Sequence, residues 1–356
     1  MLANFDRPHR IARHPPCTQK SVAVFADKLH RAACPRMDFP RTLMHALCRV
    51  GAPMVLGALV CAVLRSHEED QRQHLDFIEM FSGLGRLAQE MRASGRQVRT
   101  YEILDDPIHE DFVSATGFVH ALRMVLQLRQ GACVVIALQC SSWVHLNVGT
   151  SRRRPWRPLG DTRRRGVVQG NLQATRLALL IYLLEAMGCM WVVEQPRGSL
   201  LFFHPRLQQI LRGGRIDVHK HRIIMHEFGA NCMKPMWLFS NKQFLQGISD
   251  FKLNLLRRRT RLLLVKTWTD RYGKKKFSAN SRTKASQAYP REFGQAIVKL
   301  LDRCAAQLQS VAAAWWAECE QQSMQLDWGQ LQAHLASKAA REGWDDANLG
   351  DVFAIL

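Results

Sequence analysis

Short apolar runs alternate with amphipathic segments between residues 74 and 226. The runs at 74–80, 97–103, 133–138, 190–194 and 216–226 predict buried strands, and the segments at 84–93, 117–128, 171–187 and 204–211 predict helices. Strands that alternate with helices indicate βαβ units with right-handed crossovers and a parallel sheet. The pattern therefore predicts an α/β fold.

The alternation sets the expected domain boundaries. Residues 1–70 are predicted to be a basic N-terminal extension, in which the apolar run 50–64 is too short to span a bilayer and favours a buried or surface-docked helix. The main α/β domain is expected at 71–227 and 290–309, a smaller basic region at 228–289 and an acidic tail at 310–356. The Arg-rich first forty residues fit either a transit peptide or a disordered basic arm.

Charge points to a polyanionic partner. The formal net charge is +20, with seven arginines against Asp161 in 151–170 and thirteen Lys or Arg against Asp270 in 251–291. Such a balance favours nucleic acid, although a basic protein with no such partner is the alternative, and for the stretch 251–291 so is a solvated or partly disordered basic loop. The predicted nucleic-acid contacts are Arg152, Arg153, Arg154, Arg163, Arg257, Arg258, Arg259, Lys274, Lys275 and Lys276, with Trp268, Tyr272 and Phe277 interleaved for base stacking.

The ten cysteines form no C-x-x-C pair, which favours a reducing compartment, and we expect a nuclear or otherwise intracellular protein. The cluster His219, His221, His226 and Cys232 lacks the spacing of a structural zinc site, so no metal is predicted. No membrane association is expected, and the oligomeric state stays open.

A glycine loop follows the first strand and opens a helix. Phe81-Ser82-Gly83-Leu84-Gly85 meets the dinucleotide pattern only in its weaker form, with Ala88 in the last place. Glycines there let the backbone approach a ligand, and a carboxylate such as Glu102 can accept ribose hydroxyls. A tight structural turn and an exposed acid are the alternatives.

Two further strand ends carry reactive groups. Cys140 follows the run 133–138, where the downstream arginines are expected to lower its pKa, although a buried inert cysteine is equally compatible. Glu194 ends a strand, where burial would raise its pKa and make it a proton donor, unless an arginine pairs with it.

Together these pieces resemble the cytosine-C5 DNA methyltransferase family over roughly residues 74–226. The stretch Asp76–Gly85 looks like the D-L-F-x-G-x-G cofactor motif, and Gln139-Cys140-Ser141 falls where the family has Pro-Cys-Gln. Val193-Glu194-Gln195-Pro196 falls where the family has Glu-Asn-Val. Glu102, Asp111, the Gly160–Arg163 stretch and Arg222 match further family positions, respectively the ribose acid, the adenine-contacting acid, the D-x-R and the Q-x-R-x-R arginine.

The resemblance implies a Rossmann-like S-adenosylmethionine-dependent methyltransferase fold with a basic target-recognition region, and it favours DNA over RNA as the partner. S-adenosyl-L-methionine would bind at Phe81, Ser82, Gly83, Leu84, Gly85, Glu102 and Asp111. A flipped cytosine would meet Cys140 at C6 and Glu194 at N3, with Arg222 in the same catalytic set.

The chain also departs from the family pattern. Gln139 replaces the proline before the nucleophile, Gln195 replaces the asparagine, and the Gly-Asn motif before the last helix is missing, with Tyr289–Gly294 near its place. The alternative hypothesis is therefore a nucleic-acid-binding protein with a decayed catalytic loop. A nicotinamide or flavin enzyme is a third and weaker hypothesis, because a strand-end cysteine has no evident role in one.

Overall fold

The computed structural model describes residues 38–66, 73–253, 265–273, 275–279, 288–324 and 343–356. Its helices are α1 (Asp38–Arg49), α2 (Met54–Arg65), α3 (Arg86–Ala93), α4 (Ala115–Leu126), α5 (Val148–Ser151), α6 (Arg165–Ala186), α7 (Pro205–Arg212), α8 (Arg291–Ser323) and α9 (Leu349–Ala354). Its strands are β1 (Leu75–Met80), β2 (Val98–Tyr101), β3 (Leu128–Ile136), β4 (Met190–Pro196), β5 (His219–Ile224), β6 (Pro235–Ser240), β7 (Val265–Thr269) and β8 (Lys275–Ala279). Short 3-10 turns lie at His145–Asn147, Leu201–Phe203, Met225–Phe228, Gln243–Phe251 and Asp345–Ala347.

Six strands form one mixed sheet in the order β2-β1-β3-β4-β6-β5. Strands β1 to β4 are parallel, whereas β6 is inserted between β4 and β5 and runs antiparallel to both. The predicted α/β class is confirmed. The expectation of a parallel sheet holds for β1 to β4, and β6 is the exception.

The chain reverses its direction across the sheet at β1. From β1 it moves outward to β2, and from β2 it crosses back past β1 to β3 and β4. A crevice opens at such a switch point beyond the carboxyl ends of the strands, which is where ligands bind in open α/β sheets. The glycine loop after β1 and the Cys140 loop after β3 border this crevice.

Both faces of the sheet are covered by helices, because β3 and β4 are apolar on both sides. Val134 and Ile136 pack into one apolar cluster with α1, α2, α4 and α6, while Cys133 and Val135 pack into another with α3 and α8. Continuous apolar strands of this kind need a layer on each face. The result is a three-layer α/β/α arrangement.

Residues 38–66 belong to this core and are not a separate extension. Leu43, Leu56, Leu59 and Val60 are fully buried, which confirms the buried helix predicted within 50–64. The boundary at residue 70 is therefore wrong for this part of the chain. Residues 1–37 lie outside the described residues.

Helix α8 continues past residue 309, where the main domain is expected to end. The first half of α8 packs on the sheet through Phe293, Ile297 and Leu300, and its second half reaches α1, where Phe39 stacks on Trp316 at 5.5 Å. Residues 343–356 also pack on the core, with Val352 fully buried. The described parts of 310–356 are thus integrated into the fold.

The region 228–289 is likewise not a single appended unit. Strand β6 belongs to the main sheet, and a separate β7–β8 hairpin is described within the basic stretch. Helix α6 is long and apolar enough to cross a membrane, yet most of its apolar window is buried within the protein, as in a core helix.

Candidate functional site at the carboxyl edge of the sheet

The glycine loop after β1 is held open at the switch point. Gly83 and Gly85 adopt φ values of +56° and +60°, which L side chains rarely adopt, and a Cβ atom on Gly83 would face empty space. The Gly83 N–H donates to Glu102 Oε2 at 2.8 Å, and the Leu104 N–H donates to Oε1 at 3.3 Å. Glu102, directly after β2, therefore ties the ends of the first two strands together.

Exposed apolar side chains flank Glu102. Leu84, Ile103, Leu104 and Ile108 expose between 43% and 83% of their surface. Large apolar side chains grouped on one surface commonly mark a binding site. Leu84 directly follows Gly83 in the chain, and Ile103 and Leu104 directly follow Glu102.

Asp111 is half-buried, and its carboxylate accepts a hydrogen bond from within its own turn. Its Oδ1 accepts the Val113 N–H at 2.9 Å, while Glu110 contacts the backbone N–H of Glu102 at 2.5 Å. The buried Arg176 guanidinium donates to the carbonyls of Phe112, Val113, Ser114 and Ala347, and so fixes this loop against residues 343–356. Arg176 was not anticipated from the sequence, because nothing local marks a mid-helix arginine as buried.

Cys140 and Glu194 lie close enough to influence each other electrostatically. Burial, and then the charge of Glu194, raise the pKa of the Cys140 thiol, whereas Lys234 lowers it. The expectation that arginines lower the pKa of Cys140 is therefore wrong. The Gln195 side chain donates to the carbonyl of Leu138 at 2.7 Å, which links the Cys140 loop to the end of β4.

Glu194 is buried, and burial raises its pKa, as the sequence predicts. Lys234 and the Tyr289 hydroxyl act in the opposite direction and favour the carboxylate. Within the described residues no arginine forms an ion pair with Glu194, so the alternative of a salt-bridged strand-end acid is not supported there.

Three buried side-chain oxygen atoms near this edge lack a hydrogen-bond partner. They are Glu79 Oε1, Ser82 Oγ and Glu194 Oε1. Burial and the charges of Glu194 and Glu79 raise the pKa of Tyr289, and burial raises that of Glu79 to about 7. Buried polar groups are normally paired, so unpaired ones grouped at a strand edge suit a ligand that pairs with them.

Lys234 and Tyr289 are members of the site that sequence reasoning missed. Lys234 precedes the antiparallel strand β6, whose start lies beside the end of β4, and Tyr289 precedes α8. The one signal for Tyr289 was its place before the closing helix, where the family motif is absent. No local pattern marks Lys234.

Arg153 lies inside the loop that follows Cys140 and is fully buried. Its guanidinium bonds the carbonyls of Ser142, Pro158 and Val167 and the side chains of Ser142 and Asn171, and it stacks on Trp143 at 3.4 Å. All five N–H donors are thus used within the protein. The prediction that Arg153 contacts nucleic acid is wrong for this conformation; the residue organises the loop.

The other predicted basic contacts are partly described. Arg152, Arg154 and Arg163 are exposed, and Arg163 pairs with the buried Asp161 at 2.8 Å, which lowers the pKa of that acid to about 2. Lys276 is exposed and lies 3.7 Å from Asp270. Lys275 lies on β8, while Arg257, Arg258, Arg259 and Lys274 fall outside the described residues.

Arg222 lies apart from Cys140 and Glu194. It is exposed on the edge strand β5, in register with Trp237 and then Gln195, so its backbone is about 10 Å from β4 at a strand spacing of about 4.8 Å. The structure does not bring it into contact with Cys140 or Glu194.

In the described parts of the chain, no three His, Cys, Asp or Glu side chains are placed to hold a metal ion. The chain matches no protein-family model, no curated protein and no solved structure. The function therefore has to be argued from the site itself.

Proposed function

We propose that this protein is a nucleic-acid cytosine-C5 methyltransferase that uses S-adenosylmethionine, built on a Rossmann-like methyltransferase fold. The observation that carries the proposal is the convergence at one sheet edge of a glycine loop bonded to Glu102, a thiol and a buried acid. The glycine loop follows β1, the thiol follows β3 and the acid lies on β4, in the order in which the family carries its motifs.

The cofactor would be held by the chain after β1 and β2. The open side of Gly83 admits a ligand close to the backbone, and the Glu102 carboxylate keeps lone pairs for ribose hydroxyls beyond the two N–H groups it accepts. Leu84, Ile103 and Leu104 offer an apolar surface for the adenine. When bound, S-adenosylmethionine supplies an electrophilic methyl group.

Cys140 and Glu194 supply the two groups that cytosine chemistry needs. The Cys140 sulfur would add as a thiolate to C6 of a flipped base, while Glu194 gives a proton to N3 and so accommodates the electron pair displaced from the C5–C6 double bond. Once C5 carries the methyl group and S-adenosylhomocysteine has left, loss of the C5 proton to a base would re-form the double bond, expel the Cys140 thiolate and return the N3 proton to Glu194. Lys234 favours the thiolate that begins this sequence.

A second candidate is a nucleic-acid-binding protein that has lost methyl transfer. The observations that favour it are the raised pKa of Cys140 and the position of Arg222 two strands from Glu194. Gln139, in place of the family proline, is exposed before the nucleophile.

The first experiment is calorimetric titration of the full chain with S-adenosylmethionine, beside Gly83→Val and Glu102→Ala variants. The full chain is required because α1, α2 and residues 343–356 contribute to the core. Saturable binding that both variants weaken supports the cofactor site. Absence of binding to the folded protein contradicts the proposal and favours the binding-only candidate.

The second experiment tests the covalent step. An oligonucleotide with fluorine at C5 of the target cytosine cannot lose a proton there, so an active enzyme stays attached to it. We expect an adduct with the wild-type protein and cofactor, and none with Cys140→Ala. Adduct formation by Cys140→Ala would contradict the assignment of the nucleophile.

A further inference from the structure

The loop after α5 presents unpaired cations around an exposed indole ring. Trp156 exposes 65% of its surface between the exposed Arg154 and Arg157, whose backbones pair with each other at 2.9 and 3.1 Å. Arg152 and Arg165 are also exposed. Among the described residues none of these four arginines forms an ion pair, although the Arg154 guanidinium donates to the Arg153 carbonyl and Arg152 acts electrostatically on Asp161.

The β7–β8 hairpin presents a second set of the same kind. Trp268 and Tyr272 expose 48% and 77% of their surfaces, and the Arg271 guanidinium lies 4.8 Å from the centre of the Tyr272 ring. Strand β8 contacts the turn His145–Asn147, which begins five residues after Cys140. The hairpin therefore lies beside the nucleophile loop.

We call Arg152, Arg154, Trp156, Arg157, Arg165, Trp268, Arg271 and Tyr272 the basic-aromatic surface. Arginines suit any nucleic-acid backbone, because phosphate contacts do not distinguish paired from unpaired strands. Exposed aromatic rings do distinguish them. They stack on the faces of bases, which an intact duplex keeps covered by neighbouring bases and an unpaired strand leaves free.

We propose that the basic-aromatic surface binds an unpaired segment of nucleic acid, a single strand or a loop, in preference to an intact duplex. The inference rests on the proposed function for its choice of nucleic acid as the partner, and it adds the strand state of the substrate. A target base in an unpaired segment reaches the Cys140 loop without the cost of leaving a duplex stack.

The test is fluorescence anisotropy of the full chain, at one fixed salt concentration, with single-stranded DNA, single-stranded RNA and duplex DNA of the same sequence. We expect a single strand to bind at least about tenfold more tightly than the duplex. Trp156→Ala, Trp268→Ala and Tyr272→Ala should each weaken that binding by about fivefold or more, the scale of one base-stacking contact. Phe203→Ala is the control, because Phe203 is 44% exposed and lies outside this surface.

Equal or tighter binding of the duplex would overturn the inference, as would single-strand binding that none of the three variants weakens. Failure to bind any of the three nucleic acids would overturn it as well. Failure of the proposed function looks different: a protein that does not bind S-adenosylmethionine yet prefers single strands retains this inference and loses the enzymatic one.

Discussion

The backbone N–H of Gly83 donates to the Glu102 carboxylate at 2.8 Å, which joins the loop after β1 to the end of β2. The two residues are 19 positions apart, and the chain between them includes α3 and β2. The hydrogen bond therefore fixes the glycine loop against the end of the neighbouring strand.

Glu102→Ala should weaken S-adenosylmethionine binding by roughly tenfold to a hundredfold, because it removes charge-assisted acceptors worth about 1.5–3 kcal/mol. Titration calorimetry measures the change. Asp105→Ala is the matched control, since Asp105 is exposed three residues away and should leave binding unchanged. Equal affinity in wild type and Glu102→Ala would remove Glu102 from the cofactor site.

Glu194→Gln should make the Cys140 thiol ionise at lower pH, because the charge of Glu194 raises the pKa of that thiol. The measurement is the rate of iodoacetamide alkylation at Cys140 against pH, followed by peptide mass spectrometry. Glu320→Gln, an exposed carboxylate on α8, should leave the profile unchanged. An unshifted profile in Glu194→Gln would show that the charge of Glu194 does not affect ionisation of the Cys140 thiol.

Glu79→Gln should flatten the pH dependence of stability. Burial raises the folded-state pKa of Glu79 from 4.5 to about 7, so its contribution to stability is present below about pH 4.5 and is lost as pH rises through 7. The shift corresponds to at most about 3 kcal/mol. Urea unfolding between pH 5 and 8 should show wild type losing stability relative to the variant as pH rises, and parallel curves would refute the idea.

Arg153→Ala should destabilise the protein by about 3–5 kcal/mol, because it leaves three buried or partly buried carbonyls without their donor and removes the cation stacked on Trp143. The exposed neighbour Arg154 offers the control, and Arg154→Ala should stay within about 0.5 kcal/mol of wild type. Denaturant unfolding of both variants measures the change in the free energy of unfolding. Equal stability of the two would contradict the organising role of Arg153.

Tyr289→Phe should change both stability and activity. It removes a buried hydroxyl that donates a hydrogen bond to Glu194, so it should destabilise the ligand-free protein by about 1 kcal/mol. The same change should slow formation of the C5-fluorocytosine adduct, because the Glu194 carboxyl loses the donor that orients it. Tyr182→Phe, a buried tyrosine on α6, is the control for both measurements. An unchanged adduct rate would show that the Tyr289 hydroxyl contributes nothing to the covalent step.

The local sequence pattern predicted much of the fold and several of the candidate site residues. Apolar runs that end in Met80, Leu138 and Glu194 predict buried strands, and the parallel arrangement of β1, β3 and β4 brings their carboxyl ends to one edge. Because these features depend on residues close together in the chain, the glycine loop, Cys140 and Glu194 could be named as candidates from the sequence alone.

Tertiary structure decided which charged groups face the site and which lie inside the protein. Arg153 and Arg154 are neighbours in one arginine run, yet the fold buries the first and exposes the second. Lys234 and Tyr289 reach the edge only because β6 inserts beside β4 and α8 returns to the sheet. Burial and pKa depend on neighbours distant in the chain, and for that reason no local pattern could have predicted them.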